Sequence, residues 1–168
     1  MDRAPVDTRS TTDRRPVRFA TIAEALADAE RCAAADEAGT LRRSGNWTPG
    51  QIFGHLAWWI DGAFDGYPAS PPWFVRLLGP LLKNSALRRV QFGVRLPGVP
   101  GGTYGTEPMP TREGLERLRR AFERLERGAP ERPNPVFGKM THEEWKQLHL
   151  RHAEGHLAFL HPNGADGR

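Results

Sequence analysis

A chain of 168 residues with 38% hydrophobic side chains has the length and apolar content of one globular domain. Its single cysteine, Cys32, excludes an internal disulfide and a cysteine-based metal cluster, and reads as a small packed side chain. The formal charge of +4 comes from 24 basic residues scattered among 20 acidic ones, which describes a solvated, arginine-rich surface and leaves nucleic acid an unexpected partner.

Residues 1–18 are polar and aperiodic, and predict a flexible N-terminal arm. No apolar run precedes Phe19, so the arm lacks the hydrophobic region of a secretory signal and a cytoplasmic location is expected. A helical domain should then run over 19–162, with a short tail at 163–168. Thr21 followed by Glu24 predicts a capping box, and Ile22, Ala25, Leu26, Ala29 and Ala33 mark the apolar stripe of a helix ending before Gly39. A stronger start signal follows. Thr48 is a cap, Pro49 suits the first helical position and Gln51 the third; Ile52, Leu56, Trp59, Ile60 and Ala63 supply the apolar face. This second helix should stop near Gly66, before Tyr67-Pro68 and Pro71-Pro72.

Trp73 to about Phe92 predicts two helical pieces, or one kinked helix, around Gly79-Pro80. Its apolar run from Pro71 to Leu82 is short and interrupted by Arg76 and prolines, so it does not span a bilayer, and no membrane partner is expected. Gly93–Pro110 is rich in glycine and proline and has no periodicity; a loop this long is a candidate cover for a site. Its Gly101–Gly105 run reads as turn chemistry rather than a phosphate loop. Thr111 is expected to cap a helix carrying Leu115, Leu118, Phe122 and Leu125, decorated by Arg117, Arg119, Arg120, Arg124 and Arg127 and ending around Gly128. Thr141 and Glu144 form another capping box, opening a last helix that runs to about Leu160. No convincing alternating strand is present. The expected class is therefore all-α: an antiparallel four-helix bundle with an extra helical insertion and a long Gly/Pro-rich loop.

The chemistry concentrates on the last helix. At about 100° per residue, Trp145, Leu148, His149, His152, His156, Phe159 and Leu160 share one face, whereas Glu143, Lys146, Gln147, Arg151 and Glu154 are expected to point away. Imidazoles in an apolar stripe require a hydrogen-bond network, a charged ligand or a metal. His152 and His156 lie four residues apart and can meet one ion, but two ligands are too few; catalytic zinc sites commonly use three and leave one position open. His55, beside Gln51, Trp59 and Gly62, is the candidate third. His149 is left as a fourth ligand, a neighbour of the ligands or a substrate contact. His142-Glu143 begins a zinc-protease helix motif that Lys146 breaks, since a second histidine belongs there. His142 itself is expected to be exposed, and His161 to offer charge to the end of the helix.

The segment Trp47-Thr48-Pro49-Gly50-Gln51-Ile52-Phe53-Gly54-His55-Leu56, together with His152-x-x-x-His156-Leu157, resembles the DinB-like superfamily of metal-binding four-helix bundles. From Phe137-Gly138-Lys139-Met140 through Trp145 to Leu157 the chain most resembles a bacterial branch described only as a domain of unknown function, which often has paired histidines where Gly155-His156 stands here. The resemblance implies a divalent metal, zinc or nickel, held by His55, His152 and His156 with open coordination. Some relatives are thiol S-transferases or isomerases using bacillithiol, mycothiol or glutathione, so it also implies a small-molecule thiol as partner. The alternative is a non-catalytic bundle, metal-stabilised or ligand-binding, built on the same histidines. Exposed aromatics such as Trp58 or Trp73 are candidates for a homodimer interface.

Overall fold

The computed structural model describes residues 6–8, 10–90, 99 and 102–162. In chain order the elements are α1 (Ile22–Glu37), β1 (Arg42–Arg43), α2 (Pro49–Asp65), α3 (Trp73–Arg88), α4 (Thr111–Arg127), α5 (His142–Leu157) and β2 (Leu160–His161). Helices α1, α2, α4 and α5 pack on one another around Phe53, Leu56, Ile60, Leu118, Phe122, Leu125, Trp145 and Leu157, all essentially inaccessible to water. The fold is an all-α bundle, and α3 is the inserted helix, resting chiefly on α5. No helix among the described residues is long and apolar enough to cross a membrane.

The capping signals set the phase of the two helices that matter most. At Thr48–Gln51 and Thr141–Glu144, the hydroxyl accepts the third helical N–H and the third side chain accepts the cap's own N–H. Thr21 caps α1 in the same way, but the Glu24 carboxylate reaches one residue further back, to the N–H of Ala20. Thr111 is not a cap. Pro110 holds that position, and the Thr111 hydroxyl, at the first helical residue, donates to Asp36 at 2.6 Å and ties α4 to the end of α1.

Two further boundaries differ from the sequence reading. Helix α3 runs through Gly79-Pro80 as one element and ends at Arg88; the expected end near residue 92 lies outside the described residues. Helix α5 ends at Leu157, because Leu160 and His161 leave the helical path to pair antiparallel with Arg43 and Arg42. That ladder is two residues long on each side, too short to show an alternating pattern. Residues 93–98, 100 and 101 of the expected loop, and the tail 163–168, also lie outside the described residues.

Arg15, in the segment expected to be a flexible arm, makes long-range bonds. Its guanidinium grips Asp28 of α1 through both oxygens at 3.0 and 2.7 Å, its N–H donates to Ala158 at 2.8 Å, and its Nε donates to the Leu160 carbonyl. The arginines of α4 mostly pair with acids, Arg112 with Glu37, Arg119 with Glu30, and Arg124 with Asp61 and Asp65, in line with a solvated charged surface.

Arg151 and Glu154 do not point to solvent. Both are buried, their charges 2.8 Å apart, on the side of α5 that faces the start of the domain. Glu154 also accepts the N–H of Phe19 at 2.7 Å, and Arg151 donates to the Phe19 carbonyl. Burial pushes the Glu154 carboxyl above its ordinary range, against the opposing pull of the Phe19 N–H and Arg18. Removing one member of a buried pair strands the other in a low-dielectric interior, which costs about 3 kcal/mol or more. Glu154→Ala is therefore expected to lose about 3 kcal/mol in denaturant unfolding at unchanged slope, and Glu154→Gln, which keeps an acceptor for Phe19, distinctly less.

Candidate metal centre

The two complete capping boxes place three imidazoles at one point. Fixing α2 to start at Pro49 puts His55 inside its second turn, on the buried side; fixing α5 to start at His142 puts His152 and His156 on its last two turns. His152 Nε2 lies 3.2 Å from His55 Nε2 and 3.1 Å from His156 Nε2. The three ligand atoms all fall within 4.8 Å of one another, with His55 buried and the other two half-buried. Two imidazole nitrogens bound to one tetrahedral ion at about 2.0–2.1 Å would stand roughly 3.3 Å apart, so the spacing suits a metal polyhedron.

The tautomer of His55 is determined by its surroundings. Its Nδ1 lies 2.8 Å from the carbonyl oxygen of Tyr104, which can only accept, so Nδ1 carries the proton and Nε2 presents a lone pair to the cluster. Protons alone then leave the cluster poorly satisfied. A hydrogen on His152 Nε2 serves both neighbours only by bifurcation, and one on His156 Nε2 sets the lone pairs of His55 and His152 against each other. A cation satisfies all three.

Aromatic rings wall the cluster. Trp47 stacks on His156 with centroids 5.3 Å apart and also touches His55, while Trp59 meets His55 and His152 edge-on at 6.2 and 6.1 Å. Desolvation by this packing pulls the His55 imidazole down to about 4, against the opposing pull of the Tyr104 hydrogen bond and Glu107. Burial and then the neighbouring imidazoles hold His152 and His156 well below the ordinary histidine range. All three are neutral near pH 7, the form that binds metal.

Tyr104 arrives on the described part of the Gly/Pro-rich loop, residues 102–110, which lies along α2. Its ring stacks on Trp58 at 5.2 Å, so Trp58 is packed within the chain, whereas Trp73 is exposed. Gly105 has φ +71°, and a Cβ there would lie 2.7 Å from the Trp58 Cβ, so this turn requires glycine. The Gln51 amide holds the next stretch by donating to the Thr106 carbonyl at 2.9 Å.

The remaining histidines have other places. His149 is buried outside the triad, stacked on Trp145 at 5.9 Å, and its Nε2 has no hydrogen-bond partner among the described residues. His142 is half-buried rather than exposed, its Nε2 against the Leu125 carbonyl near the end of α4. His161 sits in β2, where Nδ1 accepts from Arg42 at 2.9 Å and Nε2 meets the Ser44 hydroxyl at 3.0 Å. Desolvation and then Arg42 hold His161 below its ordinary range, against the opposing pull of Asp13.

A family model described as a protein of unknown function (DUF1569) matches residues 11–163. The chain belongs to the DUF1569 family. No curated protein and no solved structure matches it.

In this DUF1569 protein, His149 provides a readout that does not depend on the triad's ligand role. Burial holds its imidazole at about 4, below the ordinary 6.5 of the unfolded chain. Its stabilising share is complete above about pH 6.5 and is lost as pH falls toward 4, because the unfolded state takes up the proton first. Replacing it with leucine, His149→Leu, should flatten the acid limb of the stability profile by about 1.4 kcal/mol per pH unit between those limits, measured by denaturant unfolding of metal-free protein.

Proposed function

We propose that this DUF1569 chain is a divalent-metal-binding bundle of the DinB-like kind, with His55, His152 and His156 as ligands and a further position open to a small thiol or water. The carrying observation is the convergence of three imidazole nitrogens within 4.8 Å of one another, His152 Nε2 at 3.2 and 3.1 Å from those of His55 and His156, with the His55 lone pair directed into the cluster by the Tyr104 carbonyl. An all-imidazole set suits zinc or nickel. When bound, such an ion supplies Lewis acidity that lowers the pKa of a thiol or water at the open position.

The chain's own residues have distinct parts in this reading. His55, His152 and His156 give neutral nitrogen ligands, so the ion keeps its double charge and favours an anionic fourth partner. The Tyr104 carbonyl holds the His55 ring and its tautomer, while Trp47 and Trp59 keep water from two sides. The nucleophile comes from outside. Cys32, the protein's single thiol, is buried on α1 against Arg15 and Asp28, and burial pushes it up to about 12. In this reading the activity is thiol S-transferase-like, on an exogenous low-molecular-weight thiol. The alternative is a non-catalytic bundle that uses the same ion for stability.

Metal content separates these readings from a metal-free one. Protein purified without a histidine tag is expected to carry about one zinc or nickel per chain, measured by elemental analysis, and a folded His152→Ala variant close to none. Equal, near-zero metal in both would overturn the proposal. With metal established, the transferase reading predicts conjugation of an electrophile to at least one of bacillithiol, mycothiol or glutathione at a rate that His152→Ala reduces by about a hundredfold or more. Full metal content without conjugation of any of the three assigns the chain to the binding alternative.

A further inference from the structure

Helix α3 is built inside out. The residues it turns toward the protein include only one large apolar side chain, Leu87. A Cβ on Gly79 would collide with the Val136 backbone, Ala86 and Leu87 are buried, and Lys83 pairs with Glu144 at 2.7 Å. The residues it turns toward water are Trp73, Phe74, Leu77, Leu78, Leu81 and Leu82, each between 50% and 80% exposed. They recur at i, i+1, i+4, i+5, i+8 and i+9, which lays them along one side of the helix. Among the described residues, these six are all of the exposed large hydrophobic side chains. A stripe of this kind, on an otherwise water-adapted surface, marks a contact with something other than water.

Charge decides what the contact is. From Gly66 to Thr106 the sequence contains no aspartate or glutamate, although 20 acids occur elsewhere in the chain, and it carries Arg76, Lys83, Arg88, Arg89 and Arg95. Arg88 and Arg89, both exposed, follow the last apolar turn of α3. Two copies packed through this helix would bring cations together with no acid in the segment to pair them. A surface that accepts leucine, phenylalanine and tryptophan side chains and also carries negative charge meets both demands, and an anionic bilayer is such a surface.

We propose that α3 is an interfacial helix that docks the protein on anionic membranes, its Trp73–Leu82 face entering the headgroup boundary and Arg88 and Arg89 contacting lipid phosphates. That no helix among the described residues is long and apolar enough to cross a membrane is no obstacle, because an interfacial helix lies in the plane of the membrane.

The test uses the full-length protein and sedimentation with vesicles. Vesicles of equal parts phosphatidylcholine and phosphatidylglycerol should capture it at low salt, and pure phosphatidylcholine at least about tenfold less. High salt should weaken the capture. The double variant Leu77→Glu with Leu81→Glu changes only exposed positions and should keep its helical circular dichroism while losing vesicle binding. Arg88→Glu with Arg89→Glu should reduce binding at least about tenfold. No capture by acidic vesicles, or capture unaffected by Leu77→Glu with Leu81→Glu, overturns the proposal. So does a dimer, seen by light scattering, that this variant splits while neither protein binds vesicles.

Discussion

The arrangement depends on close approaches at glycines along one side of α2. A Cβ on Gly114 would sit 2.6 Å from the Gly50 carbonyl, a Cβ on Gly50 would run into the Met109 carbonyl, and one on Gly54 would meet the Met109 methyl at 2.5 Å. These approaches bring α4 and the segment ahead of it onto α2 at a separation that larger residues forbid. The path of residues 104–110 is thereby set, and with it the Tyr104 carbonyl opposite His55 and the Thr106 carbonyl opposite Gln51. The imidazole is oriented by a backbone atom that only this close packing delivers.

What the sequence makes legible follows from what each residue's type encodes. His55, His152 and His156 could be grouped because capping boxes fix the phase of α2 and α5, and a four-residue spacing then places two rings on one side. Tyr104 acts through its carbonyl, which every residue possesses, so no pattern of residue types points to it. Trp47 and Trp59 lie in or beside the motif that singles out His55, yet periodicity alone cannot say that they wall the site. Helical phase points Arg151 and Glu154 to solvent, where charged residues usually belong. Their opposite signs three residues apart were compatible with a self-neutralising buried pair, but only the Phe19 backbone, supplied from the other end of the domain, makes burial tolerable. Likewise Thr111 has the residue type of a cap, and the competing acceptor, Asp36, comes from α1.

Helix α5 is thus anchored on two sides by unlike chemistry. One side carries the imidazoles, which are neutral and desolvated; another carries the Arg151–Glu154 pair, charged and bonded to backbone. Both sets of contacts oppose rotation of the helix about its axis, because turning it to improve one would break the other. His152 and His156 are therefore presented by an element with little freedom to turn, the condition under which ligands meet an ion without first being reorganised.

The same cluster exacts a cost that an ion would offset. Three neutral imidazoles, with His152 Nε2 only 3.2 and 3.1 Å from those of His55 and His156, cannot all be satisfied by single hydrogen bonds, and desolvation opposes relieving them by protonation. His55 and His152 are 97 positions apart in the chain, so a cation bridging them would also close a long loop. Any ion that binds the folded cluster and not the unfolded chain adds its binding free energy to the stability of the bundle. A site tuned only for packing would have placed apolar side chains at these positions. Retaining three rings that satisfy one another poorly is consistent with a fold completed from outside the polypeptide.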